Sequence, residues 1–176
     1  TQYYSYRSEF MKRLILFSLI LLMGRSLMAQ KTIVVDDQST FSAKGDYFSI
    51  VDDKDKSLTA AEAYLAKGTM IDRDVPNLNF AEGYFWLKSR VKNETHSPLR
   101  LHVNQPILDE VSLYIFQNGQ CIDSVHYGES KAFTEREVKD PYFIFSLPIQ
   151  YGEEADVLVR IASEEQIVLP VYVATS

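Results

Sequence analysis

Hydrophobic and polar residues alternate with period two through most of the second half of this chain. In residues 84–92, Phe85, Leu87 and Val91 fall on one side and Trp86, Lys88 and Arg90 on the other. Leu99, Leu101 and Val103 alternate with Arg100, His102 and Asn104, and Val111, Leu113 and Ile115 with Ser112, Tyr114 and Phe116. Asn118-Gly119 then separates this run from residues 121–127. Both turn residues tolerate positive φ, so the pair predicts a tight hairpin. Further short runs occupy 142–147, 156–161 and 167–173. Seven such runs with no helical period between them predict an all-β sandwich.

The front of the chain reads differently. Residues 32–35 and 47–51 suit short strands, and one helix signal lies between Ser57 and Gly68. Thr59-Ala60-Ala61-Glu62 fits a capping box, in which the Thr59 hydroxyl accepts a free amide and Glu62 reaches back. Ala60 onward favours helix and Gly68 supplies a stop, so one short helix is expected at an end of the sandwich.

Before these elements, Lys12-Arg13 precedes Leu14 to Met23, a ten-residue stretch that is apolar except at Ser18. Ser26 to Ala29 then leads to Gln30. That order is the layout of a signal peptide over 11–29. A membrane span needs about 20 apolar residues, and Gly24-Arg25 ends this run sooner. The first methionine is Met11, so residues 1–10 are expected to be an upstream extension. With an apolar run over 167–174 near its other end, the chain is expected to be part of a longer reading frame. Residues 30–176 then form one exported domain.

Of 18 Lys+Arg and 24 Asp+Glu, the first 29 residues hold four and one, leaving 14 against 23. Such an acidic domain without a basic cluster argues against nucleic acid, whose binding rests on phosphate neutralisation. A single cysteine, Cys121, allows no intramolecular disulfide and reads as a small hydrophobe in a strand. His96, His102 and His126 lack metal-site spacing, and no metal or other cofactor is expected. Asp52-Asp53-Lys54-Asp55 begins like a calcium loop, but with Asp53 as position one, position six is Leu58 rather than Gly and position twelve is Tyr64 rather than Glu, so it reads as a solvated turn. Asn93-Glu94-Thr95 matches a glycosylation acceptor. Asp109 and Glu110 are adjacent in a strand and point to opposite faces, which suits no shared substrate. With no nucleophile or phosphate-loop motif, catalysis finds no support.

One constellation suits a ligand. If Phe85, Leu101, Leu113 and Val159 face the core, parity turns Trp86, Lys88, Arg90, Arg100, His102, Tyr114 and Arg160 outward. Flat rings beside directed donors are what a sugar or carboxylate needs. Trp86, Arg90, His102, Tyr114 and Arg160 are therefore the candidate ligand residues, provided their strands share a sheet. Each also suits a structural role, Trp86 above all as a covered core residue.

Gly83-Tyr84-Phe85-Trp86-Leu87-Lys88 with Asn93, then Asn104-Gln105-Pro106 with Leu108-Asp109-Glu110-Val111 and Leu113-Tyr114, are followed by Tyr127-Gly128, Phe133 to Arg136, Val159-Arg160-Ile161 and Leu169-Pro170. In this order and spacing, from about Thr32 to Ala174, the chain resembles the second type of extracellular domain of bacterial seven-transmembrane receptors with diverse intracellular signalling modules. The resemblance implies a jelly-roll sandwich like carbohydrate-binding modules, placed on the periplasmic side of the cytoplasmic membrane. It also implies a seven-helix membrane region and signalling modules as partners within the full-length protein. The function expected is sensing of a carbohydrate or small carboxylated ligand, without catalysis. The alternative is a secreted structural or adhesion module without a small ligand.

The exported protein is expected to begin at Gln30. N-terminal sequencing checks this, and a mature form that retains Met11 would refute it.

Overall fold

The computed structural model describes residues 30–38, 41–42, 45–71, 77–79, 83–128 and 136–175. The extension expected at 1–10 and the leader expected at 11–29 lie outside the described residues. Along the chain run β1 (Thr32–Val35), β2 (Phe41–Ser42), a 3-10 turn (Gly45–Tyr47), β3 (Ser49–Asp53), helix α1 (Ala60–Leu65), β4 (Thr69–Met70) and β5 (Asn77–Asn79). The longer strands follow: β6 (Tyr84–Asn93), β7 (Leu99–Val103), β8 (Glu110–Gln117), β9 (Gln120–Gly128), β10 (Phe143–Leu147) and β11 (Glu154–Ala162). The short β12 (Ile167–Val168) and β13 (Val171–Thr175) complete the order.

Two main sheets form. The larger has the order β4-β3-β6-β11-β8-β9, with β1 added parallel to β6; the smaller has the order β10-β7-β13-β2. Within these sheets, β6-β11-β8-β9 faces β10-β7-β13-β2, and every link among these eight strands except the β8–β9 hairpin crosses from one sheet to the other. That winding is a jelly roll. Asn118 (φ 51) and Gly119 (φ 78) make the hairpin turn, as their sequence requires.

The strands form where period-two patterning lets each bury one apolar face. Phe85, Leu87, Val91, Leu113, Ile115, Val157, Val159 and Ile161 of the larger sheet meet Leu99, Leu101, Val103, Phe143, Phe145, Leu147, Val171 and Val173 of the smaller in one core. Residues 167–173, expected as one strand, are two. Leu169-Pro170 interrupts them, since proline has no N–H for a ladder, and β12 pairs instead with β5. Gly45–Tyr47 is a 3-10 turn rather than strand, and β3 runs on to Asp53.

The helix stands elsewhere than expected. It lies on the outer face of the larger sheet rather than at an end of the sandwich, because that face is also apolar. Val51, Trp86, Phe116 and Leu158 project there and form a second core with Ala63, flanked by Leu58, Ala60, Tyr64 and Ala66. The capping box is present in both directions, but Ala66, in extended conformation, ends the helix before Gly68. Gly68 instead passes so near β3 that a Cβ there would lie 2.6 Å from Ser49 Oγ.

Three smaller expectations are corrected. Asp53 is buried, not solvated: its carboxylate accepts from Ser57 N (2.9 Å), Leu58 N (3.1 Å) and Trp86 Nε1 (3.3 Å). Asn93 is buried as well, its amide donating to Ile149 O (2.7 Å) and its carbonyl accepting from Thr95 N (2.9 Å), so it presents no acceptor for a glycan. Cys121 is exposed, because β9 is the sheet's edge strand.

Burial raises the Asp53 pKa, but the hydrogen bonds from Ser57, Trp86 and Leu58 outweigh it and hold the carboxyl below its ordinary value. The resulting stability is complete above the unfolded chain's pKa and is lost as pH falls through the lower folded one. Urea titrations should therefore show acid destabilisation below about pH 4. Asp53→Asn should cost about 1–3 kcal/mol at pH 7 and lose less on acidification; parallel pH profiles would remove Asp53 from this linkage. Trp86→Ala should destabilise by about 3–5 kcal/mol in the same assay, and a loss under 1 kcal/mol would contradict its place in the second core.

Candidate functional site

Register across the larger sheet places Trp86, Arg160, Ser112 and His126 in one outward row. The next row is Lys88, Leu158, Tyr114 and Ser124, and a third is Arg90, Asp156, Phe116 and Cys121. Four of the five candidate residues, Trp86, Arg90, Tyr114 and Arg160, thus share one face. His102 does not. It lies on β7 of the smaller sheet, facing outward on the opposite side of the sandwich, where it stacks on Tyr172 (4.5 Å, 10°). Parity assigns a side of a strand but not the sheet to which the strand belongs. Burial, and next the Arg100 charge, lower the His102 pKa against the opposing pull of Asp140, which favours a neutral ring at pH 7.

α1 divides the shared face. Trp86 is fully buried beneath it, with its indole N–H on Asp53, and its rings have no exposed surface for a ligand. The Lys88 ammonium donates to Tyr64 O and Ala66 O (both 2.7 Å), so the sheet neutralises the carbonyl end of the helix. Burial lowers the Lys88 pKa, with Asp156 opposing. Tyr64 stacks on Phe116 (4.4 Å, 1°) and donates to Asp156 (3.1 Å). Arg90 pairs with the same Asp156 (2.7 Å) and with Glu154 (3.4 Å), so its guanidinium serves the rim of the helix seat.

Beyond α1 a patch remains around Arg160. Its guanidinium lies over the Tyr84 ring (4.5 Å) and near that of Trp86 (5.7 Å). It pairs with Glu110 (3.4 Å) and donates to Ser112 Oγ (3.3 Å), while its buried Nε–H has no partner among the described residues. Tyr114 stands beside it, 5.5 Å from Trp86 and edge-on to His126 at 5.4 Å. Burial, with Glu110 adding, raises the Tyr84 pKa, so this phenol remains a neutral donor. A half-buried guanidinium framed by rings can receive an oxygen of a carboxylate or hydroxyl on its accessible side. Tyr84, Glu110, Ser112 and His126 were not among the sequence candidates. Tyr84 shares the parity of Trp86, and Glu110 and Ser112 share that of Tyr114, so these were legible by that rule, whereas His126 needed the register of β8 and β9.

The family model described as 7TMR-DISM extracellular 2 matches residues 45–175. No curated protein matches the chain significantly. Among solved structures, TmCBM61 in complex with β-1,4-galactotriose is similar over 76% of this chain and 92% of that one, at 11% identity and a TM-score of 0.38. The match to the family model spans most of the chain, and the chain belongs to the 7TMR-DISM extracellular 2 family, the extracellular domains of multi-span membrane receptors with intracellular signalling modules.

Proposed function

We propose that this domain is the ligand-sensing part of a bacterial signalling receptor, on the periplasmic side of the cytoplasmic membrane, and that it binds without catalysis. The ligand is a carbohydrate or a small carboxylated molecule, with an acidic sugar combining both features. The observation that carries the reading is Arg160, a half-buried guanidinium set against the Tyr84 and Trp86 rings. A ligand oxygen that meets the accessible side of this guanidinium gains a charge-assisted hydrogen bond. Tyr84 and Tyr114 supply apolar surface beside it. Membership of a receptor-domain family supports the sensing role. Trp86 and Arg90 enter as supports of the seat rather than as contacts, and His102 stands apart on the other sheet.

Glu110 already occupies one side of the guanidinium and repels an incoming carboxylate, so it sets the affinity. Calorimetry of the exported protein against glucuronate and galacturonate is expected to show binding. Arg160→Lys should weaken it about tenfold or more, because a point charge does not reproduce the planar fork. Glu110→Gln should strengthen it several-fold by removing the competing charge. Absence of binding to either sugar acid, or an Arg160→Lys variant that binds as tightly as wild type, would favour a structural or adhesion module.

A further inference from the structure

The sandwich has a second concave feature, at one of its ends and well away from Arg160. Residues 94–98 carry the chain from β6 to β7, and residues 148–153 carry it from β10 to β11. Because β6 pairs with β11 and β7 with β10, these two crossovers run side by side. Between them lies a cleft of about 310 Å³, lined by Asn93, Thr95, His96, Ser97 and Pro98 on one wall and by residues 147–151 on the other.

The walls are built from buried polar groups. The Asn93 amide donates to Ile149 O and its backbone donates to Glu153 O (3.0 Å), while Gly152 N donates to Asn93 O (2.7 Å). Gly152 has φ +81, which lets the second loop turn back at this contact. Thr95, fully buried, bonds Asp37 through its hydroxyl and receives Ser97 N (3.0 Å). Glu94 N donates to Val35 O (2.8 Å). The loops are thus fixed to the sheets and to each other, and the cleft exists before any ligand enters it.

The rim is different. His96 from one wall and Tyr151 from the other stack on each other across the rim (4.2 Å, 21°), and both are exposed. Among the described residues, the Ser97 hydroxyl, the Gln150 amide and the Tyr151 hydroxyl engage no hydrogen-bond partner. No lysine, arginine, aspartate or glutamate lines the cleft. Side chains without partners on a preformed concave wall are available to a ligand. A ring face beside neutral donors and acceptors, without charge, selects a small polyhydroxylated ring and gives a carboxylate nothing to pair with.

We propose that this end cleft is a binding site for a neutral saccharide, separate from the Arg160 patch. The ring stacks on the Tyr151–His96 pair, and its hydroxyls bond Ser97, Gln150 and Tyr151. Leu147 pairs with Leu99 and Leu99 with Thr175, so the end of β13 lies at this same end of the sandwich.

The test is amide-shift mapping by nuclear magnetic resonance on the exported protein, with glucose, galactose and cellobiose as probes and glucuronate as the charged control. At least one neutral sugar should shift the amides of His96, Ser97, Gln150 and Tyr151 in a saturable manner. Tyr151→Ala should weaken that binding about tenfold or more and Gln150→Ala several-fold; both side chains are exposed, and thermal melts should show the fold intact. Arg160→Lys should leave the cleft's affinity unchanged, which keeps this site distinct from the patch on the sheet. The proposal is overturned if no neutral probe shifts these amides at millimolar concentration, if Tyr151→Ala binds as well as wild type, or if glucuronate binds the cleft more tightly than the neutral sugars.

Discussion

Burial of β6 and β11 on both faces is the constraint from which the rest of this domain follows. Their inward side chains make the core shared by the two sheets, and their outward Trp86 and Leu158 must also leave water. α1 is the cover. A six-residue helix is too short to stand alone, so it persists through its seat on the sheet. That seat contains two ionic groups in apolar surroundings, and each is satisfied. The Asp53 carboxylate takes the Trp86 indole N–H and the two backbone amides ahead of the helix. The Lys88 ammonium takes the carbonyls at its other end. The buried Asp53 follows the rule that a buried charge survives only when hydrogen-bonded, and the half-buried Lys88 is likewise paired with polar groups. Gly83 (φ +110) belongs to the same arrangement, since a Cβ there would lie 2.7 Å from Asp53 O where β3 and β6 meet.

The elements were largely legible in the sequence, and their assembly was less so. Alternation in 84–92, 99–103 and 111–116 located β6, β7 and β8, Asn118-Gly119 located the hairpin, and Thr59 with Glu62 located the helix start. These signals are local, and local chemistry fixes them. Period two says which side chains share one side of a strand, but nothing in it says which strand lies beside which. The jelly-roll winding therefore rested on the resemblance, and the gathering of His102 with Trp86 failed on the point that parity leaves open. The helix position had a signal that alternation hides. Val51, Trp86, Phe116 and Leu158 are large apolar residues at outward positions of β3, β6, β8 and β11, and together they mark an outer face that needs a lid. Single strands show one exception each; only register shows that the exceptions adjoin.

Sites made by loops were harder still. The cleft at the sandwich end draws on residues more than fifty positions apart, joined only because β6 and β7 pair with β11 and β10. Asn93 shows why its sequence misleads. Asn93-Glu94-Thr95 has the form of a surface acceptor, yet the asparagine amide is used to stitch the two crossovers together. The same residue that ends β6 shapes the wall of the cleft.

The two proposed ligand surfaces differ in what binding would do to the domain. Around Arg160 the groups belong to central strands, whose backbone bonds hold them on both sides and whose undersides are packed into the core. A ligand there displaces Glu110 and rearranges side chains, but the strands have no second packing to adopt. At the sandwich end, the parts that meet a ligand are two crossovers, each joining one sheet to the other. They are held by discrete hydrogen bonds through Asn93, Glu94 and Thr95 rather than by continuous ladders. Drawing the crossovers together would change how the sheets meet at that end, where β13 also terminates. A ligand shifts a conformational equilibrium only by its differential affinity for the two states.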